Sequence, residues 1–222
     1  MAFRSVPAID RFRGFLGLSD VRLNGRKFRI ALLLIIIGVS GRLLLLNLAN
    51  IETVLVASLL AGTYLGGAYV VIVPISIMLA TDVIVYLTKY PGFYPLGDIA
   101  LIAVFVYSGY VMVSLLGATV RRRMAFRLKS VAVLTGISIP ATILYDVWTA
   151  TGMWVAVFSK PPFSHTLLQT FANQVPFTCL HLISSLIFVP IFGTIFIYYL
   201  TEPEIAPSPS TAPTGDSQGQ AL

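Results

Sequence analysis

Residues 51–87 read IETVLVASLLAGTYLGGAYVVIVPISIMLATDVIVYL. A membrane-crossing helix needs about 20 predominantly apolar residues. This run is too long for one crossing and just long enough for two. Its midpoint is Tyr64-Leu65-Gly66-Gly67-Ala68, and paired glycines allow the backbone to reverse there. Two helices are therefore expected, over residues 52–65 and 69–87.

Working outward, the same length rule gives a preceding helix over 30–48, with Asn47 and Asn50 marking a short turn. After the Pro/Gly loop at 89–98 come helices over 99–120, 130–149 and 171–200. Pro140 should kink the fifth. Pro176 and Pro190 should break or bend the sixth. The expected fold is an all-α integral membrane domain of six transmembrane helices at 30–200. A basic arm (1–29) precedes it, and a Pro/Ser/Thr/Gly tail (201–222), expected to be disordered, follows.

Composition agrees. Of the 222 residues 57% are hydrophobic and 11% charged, and the mean hydropathy is +0.88. A soluble domain carries about 25% charged residues, so most of this surface must face lipid. The first apolar run follows a long arginine-rich arm, with no small-x-small cleavage site, and reads as a retained anchor. In the arm, Ile9, Phe12, Phe15 and Leu16 recur at helical spacing among arginines. That suits an interfacial helix, and a disordered basic arm fits equally well. The single cysteine, Cys179, sits in an apolar run and reads as a small buried hydrophobe.

Lys and Arg set the orientation. Seven lie in the N-terminal arm and five in the 121–129 loop, against Lys89 and Lys160 alone in the loops of the other side. Twelve against two places the arm and the 121–129 loop in the cytoplasm. Six crossings then return the C-terminus to the same side, as a multi-pass protein of the cell membrane.

Charges inside spans are costly and commonly functional. Here they gather at one level, toward the outer face: Arg42, Asp82 and Asp146, with Asn47, Asn50, Glu52, Asn173 and Gln174 at helix ends and Trp148 and Trp154 nearby. Asp82 stands about five residues, roughly 8 Å of helix, from the outer end of its span. Arg42 is expected to pair with Asp82 or Asp146, the three forming one coupled cluster. Such a level suits an outward-facing pocket for a small polar solute, and three carboxylates with one arginine favour a zwitterionic or cationic one. A structural ion-pair and capping network is the alternative: Glu52 also reads as a helix cap, and the tryptophans as an interfacial belt.

Catalytic signals are poor. His165 and His181 lack i,i+4 partners, and no G-x-S-x-G, H-E-x-x-H or P-loop pattern occurs. Neither an enzyme nor a bound cofactor or metal is expected. The small-xxx-small pairs Ala57/Ala61, Gly62/Gly66 and Ser114/Ala118 suit close helix contact, within the chain or between subunits.

Several segments resemble an uncharacterised group related to the substrate-binding S components of energy-coupling factor (ECF) transporters. They are Gly41-Arg42-Leu43, Leu48-Ala49-Asn50-Ile51-Glu52-Thr53-Val54, residues 57–66, Val73-Pro74-Ile75 through Ala80-Thr81-Asp82, residues 140–154, and residues 167–192 with Pro176-Phe177. The chain departs from that group's Asn-Phe-x-Pro stretch at Val54 or a neighbour, and from its helix-5 Asn at Asp146 or Thr151. It also lacks an Ala-x-x-x-Ala docking motif in helix 1, where Ile35 stands four residues after Ala31.

The resemblance implies an S-component-like bundle that captures a vitamin-like or other micronutrient solute from outside, gated by the loop at about 47–52. It implies as partners the solute, the bilayer, a transmembrane coupling subunit and ATPase subunits, and no nucleic acid. Two rivals are a morphogenesis scaffold of the same fold, which binds no solute, and a lipid-modifying enzyme using Asp82, Asp146 or His165. An open outer pocket, as against one filled by its own side chains, separates solute capture from the scaffold.

Overall fold

The structure is a computed structural model and describes residues 25–48, 50, 51, 53–89, 94–121 and 128–201. Among these residues there are six helices and no strand: α1 (Gly25–Leu44), α2 (Val54–Leu65), α3 (Tyr69–Lys89), α4 (Leu96–Val120), α5 (Leu128–Met153) and α6 (Leu167–Thr201). α2 widens to a π-helix over Ala61–Leu65, and α5 continues into a π-helical turn over Trp154–Phe158. The expectations for the arm before Gly25, for Glu52, for most of the 121–129 loop and for the tail lie outside the described residues.

α3, α4, α5 and α6 are each long and apolar enough to cross a membrane. Their polarity is arranged for lipid. Along α6, Ile183, Ile187, Ile191 and Ile195 form an exposed row at four-residue spacing, while His181, Ser184 and Ser185 point inward. α3 likewise exposes Leu79, Val83 and Leu87. In water such faces would be sticky patches; in a bilayer they are the solvated surface. Among the described residues the chain is all-α, with four helices fit for a multi-pass membrane protein. Cys179, expected to be buried, is exposed on α6, because lipid accommodates a small apolar side chain as readily as a core does.

The other two helices differ from simple crossings. α1 has the length, but Lys27, Arg29 and Arg42 fall within it. α2 has 12 residues, about 18 Å of helix against a hydrocarbon core of about 30 Å. It starts inside the bundle: Thr53 Oγ1, just before it, donates to the Ile37 and Gly38 carbonyls of α1 at 3.0 and 3.4 Å. It ends at the far face, where the Arg121 side chain lies over Gly66. Every residue of Val54–Leu60 is buried, and α2 packs on α1, α3, α4 and α6. A helix that is apolar all round belongs in the centre.

The reversal after α2 is where the glycine pair placed it. Gly66 has φ 61°, ψ −165° and Gly67 has φ 58°, and the first combination is essentially glycine-only. The small residues serve contact within the chain: a Cβ on Gly62 would strike the Ser114 carbonyl, and one on Gly117 the Leu59 carbonyl. α2 and α4 thus touch backbone to backbone.

Several boundaries move from their expected positions. α1 runs Gly25–Leu44 rather than 30–48, since Arg26, Lys27 and Arg29 are good helix formers and residues 45–48 turn away. α4 begins three residues early, at Leu96 after Pro95. α5 runs on past Thr149 through the apolar stretch to Phe158. α6 is one unbroken helix of 35 residues through Pro176 and Pro190. It starts early because Thr166 and Gln169 cap it reciprocally: Thr166 N–H donates to Gln169 Oε1 at 2.8 Å, and Gln169 N–H to Thr166 Oγ1 at 3.2 Å.

Candidate functional site

α1, α3 and α5 end, and α4 and α6 begin, at one end of the bundle. Because α2 starts deep, it leaves the centre of that end to the preceding loop. A cavity of about 420 Å3 lies there. Leu45, Leu46, Leu48, Asn50 and Ile51 of the α1–α2 connection form part of its wall, and α4, α5 and α6 supply Tyr110, Tyr145, Asp146, Gln174 and His181. Asn50 takes φ 55°, a conformation asparagine tolerates better than most residues.

Two side-chain pairs organise the site. Arg42 Nη2 is 2.8 Å from Asp82 Oδ1. Arg42 Nη1 donates to Thr81 Oγ1 at 2.6 Å and lies 2.9 Å from Met78 Sδ. Tyr107 Oη donates to Asp82 Oδ2 at 2.6 Å. This α1–α3–α4 cluster is partly open, with the Arg42 and Asp82 side chains 15% and 32% exposed. A second cavity of about 350 Å3 lies along it; Arg42, Val85, Val106 and Met153 belong to both walls.

The second pair is deeper. His181 Nδ1 of α6 is 2.9 Å from Asp146 Oδ1 of α5, with side-chain exposures of 2% and 3%. Two polar atoms of this pair, Asp146 Oδ2 and His181 Nε2, are buried without a hydrogen-bond partner among the described residues. Tyr145 meets the His181 ring edge-to-face at 5.5 Å and lies 4.4 Å from Tyr110, centroid to centroid. Below the pair, the Thr142 and Ser185 hydroxyls bond across α5 and α6 at 2.9 Å.

The single expected cluster of Arg42, Asp82 and Asp146 is therefore two pairs. Asp82 takes Arg42, and Asp146 takes a histidine on the adjoining helix; Arg42 and Asp146 still share the cavity wall. Asn50 lines the cavity. Asn47 and Asn173 are exposed at the surface, and Gln174 lines the wall beside Asn173.

Neither tryptophan forms part of that wall. Trp148 Nε1 donates to Ser108 Oγ at 2.9 Å and its ring packs on Phe105, tying α5 to α4. Trp154 Nε1 donates to the His165 carbonyl at 2.9 Å and braces the connection into α6. Both contacts need a ring at a helix junction, which sequence position alone does not distinguish from a ligand stack.

His181, Tyr107 and Tyr110 belong to the site although sequence reasoning does not find them. A search for i,i+4 partners looks along one helix, while the partner of His181 is across the interface. The available signal is Gln174, Phe177 and His181 at i, i+3 and i+7, which share one face of α6.

The profile of a family of unknown function, DUF6580, matches residues 22–206. No curated protein and no solved structure matches the chain.

Proposed function

Since the chain belongs to DUF6580, a family of unknown function, its role is read from its own geometry, and we propose that it is a membrane subunit that captures a small solute for uptake. The observation that carries this reading is the open cavity of about 420 Å3 at the Arg42 end. Its size falls in the roughly 300–1,000 Å3 range of small-molecule sites. A scaffold would gain nothing from keeping buried carboxylate and imidazole atoms beside an unfilled space.

In this reading the helices cross the bilayer six times, α2 with its preceding loop counting as one crossing. Both termini are cytoplasmic and the cavity opens outward. The α1–α2 connection is the gate. The bundle works as S components of ECF transporters do, with a coupling subunit and ATPases supplying the energy; the sequence has no P-loop of its own, and an ion gradient is the other source.

The test is direct. Protein purified gently from its native membrane should carry a small molecule detectable by mass spectrometry. That compound, added back, should raise the melting temperature by mass action. No co-purified molecule, together with no stabilising compound in a micronutrient library, would return the protein to the scaffold reading.

A further inference from the structure

The Asp146–His181 pair says more about the occupant. With Asp146 as the carboxylate, which only accepts hydrogen bonds, His181 Nδ1 is the donor between the two residues. In the neutral imidazole that leaves a lone pair on Nε2. Nε2 and Asp146 Oδ2 then form two acceptors, both buried, both without a partner among the described residues, on two residues that line one cavity. A buried acceptor left unmade is costly, and a carboxylate in this setting calls for a positive charge. Arg42 is engaged by Asp82, Thr81 and Met78. Asn50, Thr149 and Gln174 on the same wall are uncharged. Tyr110 and Tyr145, packed on each other, complete this part of the wall.

We propose that the cavity takes a small organic cation with an N–H donor, a protonated amine or amidinium, on a flat apolar body. An N–H is donated to Asp146 Oδ2, and the body lies beside Tyr110 and Tyr145. This rests on the solute-capture reading and names the chemical class of the solute. An anionic group at this position would meet the Asp146 carboxylate and is rejected.

Three probes of the same shape and different charge test it: benzamidine, benzamide and benzoate, titrated calorimetrically into the purified full chain in nanodiscs. Benzamidine should bind, benzamide roughly tenfold to a hundredfold more weakly, as expected for losing a hydrogen bond to a charged group, and benzoate not measurably. Asp146→Asn should bring benzamidine and benzamide to similar affinity. If that variant does not fold, the wild-type ranking decides alone. Benzamide or benzoate binding as well as benzamidine, or none of the three binding, overturns the proposal. A neutral or anionic molecule found in the native mass spectrum would overturn it too, while leaving solute capture standing.

Discussion

At the scale of the residue, the two side-chain pairs do different work because their surroundings differ. Arg42 and Asp82 are partly open and share their charge with Thr81 and Tyr107, so water and neighbours soften the loss of either. Asp146 and His181 are almost wholly enclosed and meet at 2.9 Å. Breaking a buried pair by removing one member costs about 3–5 kcal/mol, because the other is left uncompensated. His181→Ala should therefore destabilise the protein by about that much. His181→Ala combined with Asp146→Ala should recover part of the loss, since no lone carboxylate then stays buried. Chemical denaturation of wild type, the two single variants and the double variant in detergent measures the coupling; additive effects would mean that the pair contributes no interaction of its own.

At the scale of the element, α2 decides the architecture. It is short, buried on every side, and pressed against α4 through glycine. Had it been a full-length crossing, the centre of the Arg42 end would be filled by helix. Its contact with α4 is strict because backbone, not a flexible side chain, faces Gly62. Gly62→Val should cost about 2–3 kcal/mol or more, an overpacking penalty with no side chain free to yield. A Cβ at Gly136 of α5, by contrast, would meet nothing within 4 Å. Gly136→Ala should be neutral or stabilise by about 0.5–1 kcal/mol through the unfolded chain and helix propensity. Thermal melts of the two variants check the contrast; equal effects would mean that the α2–α4 contact is slack.

At the scale of the whole molecule, the outer surface is apolar and the core is largely apolar too, with the buried polar groups gathered mainly between α5 and α6. Buried Ser138, Thr142, Asp146, His181, Ser184 and Ser185 face the α5–α6 interior, while isoleucines and leucines cover the rim. Four helices meet the length and composition for crossing, and the proposed topology, drawn from the Lys/Arg asymmetry, extends this to six crossings with both ends inside. A cysteine placed at Ser210 tests that topology, in a Cys179→Ser background because the native thiol is exposed. It should be shielded from a membrane-impermeant maleimide in intact cells and should react after permeabilisation. Labelling in intact cells would overturn the cytoplasmic C-terminus and with it the count of six.

The fold class could be read from sequence because it rests on quantities that add along the chain. Apolar run length, the scarcity of charge and the Gly66–Gly67 pair each act locally, and lipid rewards them wherever the helices finally pack. The level of the site was legible for the same reason: Arg42, Asp82 and Asp146 interrupt apolar runs at countable distances from helix ends. Which groups meet was not legible. Whether Asp146 faces Arg42 or His181 depends on how α5 and α6 rotate against each other, and residues 35 positions apart carry no local mark of their contact. The cavity likewise belongs to tertiary structure alone. It exists because a helix of ordinary composition starts several residues below its neighbours, and the depth of a helix in a bundle is set by what surrounds it.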